Sequence, residues 1–376
     1  MAAADDIRSR TPAPEEPTAE TVEQQAHRLR NGLIYTTVLA VLLLGVGLAI
    51  PDLRGVLERA ANAHWGWLVL AAALEIASCL GYVAVVRLVM RRAPVRETRW
   101  LAWAEMAFGA VVPVGGAGGL AVGAWAMRAW GIAWSRIIER SAVIFLLTTA
   151  VNAAVMILAA LGVWVGVGVA SHNSGLLYGF LPASAALTGV SIFLLLPRLS
   201  RGPLGRVPRV GPALTRLGAW VRQTERVAIE PDWRLAGAIG YLIFDIAVLW
   251  ACLRAVGVSA PLLAIAMGYQ IGYLANLVPI PGGIGVLEGG LLGSLVLYGL
   301  PAAPTAAAVV LYHAIALWIP ALGGTYGFVR LRRSVADGSR RLEIVTAARR
   351  AGITDNAPAL PAADVPATAA TRQAAA

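Results

Sequence analysis

The feature that most constrains the fold is a long run without charged side chains. Between Ser141 and Pro197 there is no Asp, Glu, Lys or Arg, and most residues are apolar. Crossing about 30 Å of hydrocarbon takes about 20 helical residues, so this run is long enough for two passes through a bilayer. Only 14% of the whole chain is charged, against about a quarter in soluble globular proteins. The sequence therefore predicts an all-α polytopic membrane protein.

Six apolar segments are long enough to be full spans, and two further regions are interrupted by glycine and proline, giving eight spans by hydropathy. The predicted full spans are Leu33–Ile50, Trp65–Met90, Ala142–Ala170, Leu176–Pro197, Leu235–Val256 and Thr305–Val329. The interrupted regions are 101–132 and 262–300. The polar residues 1–30 and the Ala/Pro-rich end of 336–376 predict disordered tails around a membrane domain at 31–335.

The arginines are confined to certain connections between spans. Four lie in residues 91–99, three in 128–140, eight in 198–234 and seven in 330–350, whereas 257–304 contains none. By the positive-inside rule, the Arg-rich connections are cytoplasmic. We therefore predict a multi-pass protein of the plasma (inner) membrane with both termini in the cytoplasm. The net charge of +10 does not indicate nucleic-acid binding, because no basic stripe is interleaved with stacking aromatics.

The basic segment 198–234 is predicted to lie against the cytoplasmic membrane surface. Its part at about 212–228 is predicted to form an amphipathic helix resting on anionic lipid. A role in contacting a separate lipid-modifying synthase is a second interpretation of this segment.

Each interrupted region must enter and leave on one side, because its two ends have the same predicted side. The first arm of the first region, Leu101–Val112, has 12 residues and would be ~18 Å long as a helix, too short to cross. Both regions are therefore predicted to be re-entrant helical hairpins entering from opposite faces. Two ordinary pairs of spans with tight turns remain the alternative, more strongly for 262–300, whose arms have 17 and 18 residues.

The two halves of the chain resemble each other. "LEIA" (74–77) matches "FDIA" (244–247), and "VPV-GGAG" (112–118) matches "VPIPGGIG" (278–285) with one gap. These elements are in the same order at similar spacing, and the arginine pattern gives the halves opposite orientation. Inverted repeats with broken helices are a transporter architecture. We predict one repeat at about 65–170 and a second at about 235–330.

The second broken region also resembles the signature of a known family. "NLVPIPGGIGVLEGGLL" (276–292), then an apolar span and "RLRR", is similar to the lysylphosphatidylglycerol synthase transmembrane region, also called the flippase-like or UPF0104 family. "AMRAWGIAWSRIIERSAVIF" (126–145) fits the family's order, and the resemblance covers roughly 30–335. It implies a membrane domain that moves a charged lipid, which other members make with a fused aminoacyltransferase. We expect that enzyme domain to be absent, because only about forty residues follow Arg333, too few for a catalytic domain.

Two departures from the family pattern argue against transferring its substrate. The span after the motif usually has an Arg where this chain has His313, and the first tip has Gly115–Gly116 without a preceding proline pair.

The candidate binding residues lie in the glycine-rich tips of the two interrupted regions, 112–119 and 278–285, and among the charged residues within apolar segments. Helix breaks in lipid leave backbone groups that must line a polar cavity or be buried in protein. Acids within spans usually face a cavity, and Glu75, Glu105, Asp245 and Glu288 are the intramembrane acids. The predicted substrate-binding set is Pro113, Gly115, Gly116, Pro279, Pro281, Gly282, Gly283, Gly285, Glu288, Glu75, Asp245, Arg140, His313, Tyr273 and Asn276.

Structural roles for the same residues remain open. Gly115-x-x-x-Gly119-x-x-x-Gly123 and Gly285-x-x-x-Gly289-x-x-x-Gly293 have the spacing of helix-packing stripes. The acids would then be neutral groups that hydrogen-bond between helices.

Three functions fit these patterns. The leading hypothesis is a bacterial transporter or flippase that moves a polar-headed lipid between leaflets through a cavity between the two hairpins. The alternatives are a membrane-embedded enzyme acting on a lipid-linked sugar or aminoacyl lipid, and an accessory subunit of a synthase. No nucleophile or metal-ligand spacing occurs among the four scattered His and two Cys, so we expect no enzyme activity, no metal and no cofactor.

Overall fold

The computed structural model describes residues 51–91, 93–111, 117–165, 181–199, 201–202, 211–274 and 286–337, with the single positions 27, 30, 31, 34 and 345. The described chain forms these helices: α1 Pro51–Ala61, α2 Trp65–Val89, α3 Val95–Val111, α4 Ala117–Ala129, α5 Trp134–Trp164, α6 Leu181–Leu199, α7 Gly211–Ile229, α8 Leu235–Ala255, α9 Leu262–Leu274, α10 Val286–Leu297 and α11 Ala302–Ala336. The predicted first span, Leu33–Ile50, lies almost wholly outside the described residues, as do both tails apart from residues 336–337 and the single positions given above.

Four of these helices are long and apolar enough to cross a membrane. They are α2, α5, α8 and α11, with 25, 31, 21 and 35 residues. The prediction of a polytopic α-helical membrane protein is confirmed. The ends of α2 and α8 agree with the predicted spans to within one residue, whereas α5 begins eight residues before Ala142. Hydropathy identifies only the apolar part of a helix. The helical backbone of α5 also includes the polar residues that precede that part.

The first arm of the first interrupted region begins earlier than predicted. The first arm, α3, has 17 residues because the polar stretch 95–100 is also helical. At ~25 Å it is not the short arm that the apolar run predicted, and that prediction of its start was wrong. The arms of the second region, α9 and α10, have 13 and 12 described residues. The predicted tips are 112–119 and 278–285. The first lies outside the described residues except for 117–119, and the second lies wholly outside them.

The centre of the molecule is a close crossing of α2 and α8. A Cβ on Gly81 would lie 2.8 Å from the carbonyl oxygen of Gly237, and one on Gly237 would lie 2.7 Å from that of Gly81. The hydroxyl of Ser78 donates to the Tyr241 carbonyl at 2.8 Å. Because small residues let the two backbones touch, this crossing holds the middle of each helix in a fixed position.

Each pair of short helices packs on itself and on a long helix of the other half. The α3–α4 and α9–α10 pairs are in contact, and α3 lies along α11 while α9 lies along α5. Gly324 allows the close approach of α11 to α3, since a Cβ there would meet Ala107. Leu263 of α9 packs over Gly162 of α5, where a Cβ would lie 2.5 Å from the leucine Cδ1.

The basic segment between the halves contains the predicted helix. α7 covers Gly211–Ile229 and packs on α5 and α6. Gly218, Val221 and Thr224 are buried, whereas Arg216 and Arg226 are exposed. The helix is therefore amphipathic, with arginines on its outer face.

Candidate functional site

The described residues include six of the predicted site residues: Glu75, Arg140, Asp245, Tyr273, Glu288 and His313. The other nine are in or just before the tips and lie outside the described residues: Pro113, Gly115, Gly116, Asn276, Pro279, Pro281, Gly282, Gly283 and Gly285. The geometry of the site is therefore built from its acidic, basic and tyrosine side chains.

Asp245 on α8 is the centre of a cluster of tyrosines from two other helices. The hydroxyl of Tyr269 on α9 donates to Oδ2 at 2.5 Å, and that of Tyr312 on α11 donates to Oδ1 at 3.0 Å. Tyr273, one turn along α9, stacks on Tyr269 with ring centroids 4.6 Å apart. Both carboxylate oxygens of Asp245 are thus held by tyrosine hydroxyl donors.

Glu75 on α2 lies beside this cluster. It is 5% exposed, and its two oxygens are unequal: Oε1 accepts a weak bond from the Cys79 thiol at 3.6 Å, while Oε2 has no hydrogen-bond partner among the described residues. Glu75 and Asp245 are close enough to interact electrostatically. Two neighbouring acids in a low-dielectric setting can hold a cationic group or exchange a proton, which a single acid paired with an arginine does less readily.

Arg140 on α5 is buried and paired, not near the surface. Its Nη1 and Nη2 lie 2.5 and 2.8 Å from the two carboxylate oxygens of Glu105 on α3. The hydroxyl of Tyr82 on α2 donates to the same carboxylate at 3.1 Å. Three helices therefore meet at one ion pair. A bidentate Arg–carboxylate pair fixes both distance and orientation.

Glu288 on α10 and His313 on α11 form the corresponding contact in the second half. The Nδ1 atom of His313 lies 3.1 Å from Oε1 of Glu288, and the two side chains are 36% and 25% exposed. This contact is an ion pair only when the imidazole is protonated. It is less buried than the Glu105–Arg140 pair.

The two glycine stripes have different surroundings. On α4, a Cβ at Gly119 would lie 2.6 Å from the backbone oxygen of Glu105, and one at Gly123 would overlap its Oε1. These two glycines are therefore packing positions against α3. On α10, a Cβ at Gly289 or Gly293 would meet nothing within 4 Å among the described residues, so these two do not pack in the same way.

Sequence reasoning did not select Tyr82 or Tyr312 for the site, and it assigned no particular partner to Glu105. A signal was present for Tyr82, which is seven residues after Glu75 and so on the same face of α2. The pairing itself depends on which helices meet. Within the described ranges, no group of three or more His, Cys, Asp or Glu is arranged to hold a metal ion.

Comparison with known proteins places the chain in a family. Residues 33–324 match the family described as "Lysylphosphatidylglycerol synthase TM region". A "UPF0104 membrane protein" of Methanothermobacter thermautotrophicus is 35% identical over 88 residues, which are 23% of this chain and 25% of that protein. The chain is thus aligned with only a quarter of that relative's length. The family match covers most of the chain and all eleven described helices except the end of the last, and the chain belongs to the lysylphosphatidylglycerol synthase transmembrane-region family of lipid-related, multi-pass membrane proteins.

Proposed function

We propose that this protein moves a polar-headed lipid between the leaflets of a plasma membrane, through a cavity between its two broken-helix regions. The observation that carries the proposal is the Glu75–Asp245 cluster at the crossing of α2 and α8. Charged groups in lipid are costly and are retained where they face a pathway. Glu75 and Asp245 occupy matching sequence positions in the two halves. In the described structure their carboxylates accept hydrogen bonds only from hydroxyl and thiol groups, so they are candidates for charged groups that face a pathway.

The packing of the helices supports an inverted-repeat mechanism. Exchanging the halves converts the α3–α11 contact into the α9–α5 contact and leaves α2–α8 unchanged. This exchange symmetry fits hairpins that rock against the opposite long helix. In alternating access, such movement would expose the acid cluster to one leaflet at a time.

The chemistry of the cluster favours a headgroup with positive or hydroxyl character. Carboxylates attract ammonium groups, and the Tyr269–Tyr273 stack presents an aromatic face beside Asp245. The family description refers to lysylphosphatidylglycerol, a lipid with amino groups, which is consistent with this preference. Alternatively, the same two acids would take up and release a proton during the transport cycle. Candidate partners are anionic lipid at 198–234 and a separate lipid-modifying synthase.

The test is lipid exchange between leaflets of liposomes that contain the purified full chain. We expect transfer of lipids with amino-bearing headgroups, and loss of transfer in Asp245→Asn and Glu75→Gln. A matched control is Glu139→Gln, whose acid forms a surface ion pair with Arg136 on α5. Absence of exchange for every lipid class by correctly folded protein would overturn the transport proposal and favour an accessory or enzymatic role.

A further inference from the structure

A second polar site lies at one end of the bundle, away from the acid cluster. A cleft of about 190 Å³ opens between the beginning of α3 and the end of α11. Its lining includes three arginines, Arg96, Arg330 and Arg333, and two acids, Glu97 and Asp337. At neutral pH the cleft therefore has a net positive charge. Its volume is sufficient for a phosphate group but not for a large soluble cofactor.

The arginines of this cleft are available for an anion. Among the described residues, the guanidinium groups of Arg96, Arg330 and Arg333 make no ion pair. The guanidinium of Arg330 lies over the rings of Trp100 and Tyr326, 5.8 Å from each ring centroid. Those two rings meet edge to face at 5.4 Å. Aromatic contacts of this kind orient the planar fork and leave its N–H groups able to donate hydrogen bonds.

The floor of the cleft is a contact between its two helices. Ser334 and Glu97 are both buried, and the serine hydroxyl lies 3.5 Å from Oε1 of the glutamate. Glu97 is therefore engaged in joining α11 to α3, whereas the arginines occupy the walls and rim. Arg96 and Arg333 are exposed at the rim, as is Asp337, and Arg330 is half-buried in the wall.

An exposed apolar face of α11 leads directly to this cleft. Leu322, Tyr326 and Val329 are 66%, 56% and 39% exposed. Their spacing of four and three residues places them on one side of the helix, followed by Arg330 on the same side. Tyr326 and Trp100 are residue types that concentrate at the membrane–water interface. An apolar face that ends in such aromatics and arginines has the composition expected at the level of lipid headgroups.

We propose that this cleft binds the phosphate of an anionic membrane lipid, with the acyl chains of that lipid along Leu322, Tyr326 and Val329. The required chemistry is a phosphate oxygen that accepts charge-assisted hydrogen bonds from Arg330 and Arg333. A soluble phosphate compound shares that chemistry, but it makes no use of the apolar face. The site is distinct from the acid cluster and does not depend on the transport proposal.

The test is native mass spectrometry of the purified full chain titrated with phosphatidylglycerol or with zwitterionic phosphatidylcholine. We expect saturable phosphatidylglycerol binding that weakens about fivefold in Arg330→Gln and again in Arg333→Gln, the effect of one interfacial cation on an anionic lipid. Arg330→Lys retains the charge but not the planar fork, so its affinity for phosphatidylglycerol should lie between that of Arg330→Gln and that of the wild type. The matched control is Arg332→Gln, an exposed arginine of the same helix that does not line the cleft.

Competition with glycerol phosphate identifies the source of the anion. Persistence of phosphatidylglycerol binding in the presence of excess soluble competitor supports a lipid site. Full displacement by glycerol phosphate overturns the lipid assignment. Equal weakening in Arg330→Gln, Arg333→Gln and Arg332→Gln also overturns the proposal, because it indicates general surface attraction. Thermal unfolding of each variant ensures that only folded proteins are compared.

Discussion

The carboxylate of Glu105 and the guanidinium of Arg140 form a buried, bidentate ion pair, with N–O distances of 2.5 and 2.8 Å. The side chains are only 4% and 7% exposed. The pair joins α3, the first arm of a broken-helix region, to the long helix α5, and Tyr82 connects it to α2. Such a contact fixes the position of the arm, and its loss leaves a charge without a partner in a site that water does not reach.

Arg140→Gln and Glu105→Gln should each destabilise the protein strongly. Leaving one buried charge unpaired costs about 3–5 kcal/mol, whereas the double variant Glu105→Gln/Arg140→Gln should lose less because no isolated charge remains. The control, Arg136→Gln on the same helix, breaks an exposed pair with Glu139 that contributes about 0–1 kcal/mol. Denaturant unfolding in detergent measures these differences. Similar losses in Arg140→Gln and Arg136→Gln would contradict the structural role.

Gly123→Ala should destabilise the protein, and Gly293→Ala should not. The added methyl at Gly123 would overlap the Glu105 carboxylate, which is held by Arg140, and overpacking of this kind costs about 1–3 kcal/mol. At Gly293 nothing described lies within 4 Å, so the alanine gains about 0.5–1 kcal/mol of helix preference. The midpoints of thermal unfolding compare the two. A stabilised Gly123→Ala variant would exclude the close contact.

Glu288→Gln should reach the membrane in folded form and lose lipid transfer. Its carboxylate is partly exposed and 3.1 Å from His313, so the amide preserves shape but removes the charge and the ability to carry a proton. Transfer rate per folded molecule, measured for Gln and Asp variants between about pH 5 and 8, spans the titration of histidine. A fully active Gln variant with the wild-type pH profile would return Glu288 to a packing role.

Topology follows from the arginine distribution. Reporters fused after Pro94, Arg206 and Arg333 should be cytoplasmic, and reporters at Asn173 and Pro304 should be external, since the Arg-rich connections are retained inside. Paired cytoplasmic and external reporters at each position provide the measurement. An external signal at Arg206 would rule out the inverted-repeat interpretation.

Acid should weaken the contact between α2 and the beginning of α8. The backbone N–H of Arg234, at 2.9 Å, and the guanidinium groups of Arg234 and Arg91 hold the pKa of Asp232 below its usual value. A depressed folded-state pKa gives stability that is present above the unfolded-state pKa of about 3.9 and is lost as the pH falls below it. Asp232→Asn should remove this part of the pH dependence of unfolding. Glu58→Gln, at an exposed position of α1, is the control.

The sequence predicted the spanning segments well, because lipid imposes a simple requirement. A bilayer core accepts long apolar helices and excludes charges, so α2 and α8 could be located to within a residue. The sequence did not predict where α3 and α5 begin, because both helices start in polar stretches. The first helical turns of α3 and α5 form their own backbone hydrogen bonds although their side chains are polar. Hydropathy reports only on the side chains, so it does not locate the beginning of such a helix.

The sequence by itself determined that this chain is a polytopic membrane protein with a family motif and four intramembrane acids. Only the tertiary structure decided their partners: Glu105 with Arg140, Glu288 with His313, and Asp245 with two tyrosines. It also separated Gly123, which is packed against a carboxylate, from Gly293, which is open. Identical spacing along two helices gives different contacts because a contact depends on which neighbouring helix crosses there and how closely, and that is set by packing between segments distant in the chain.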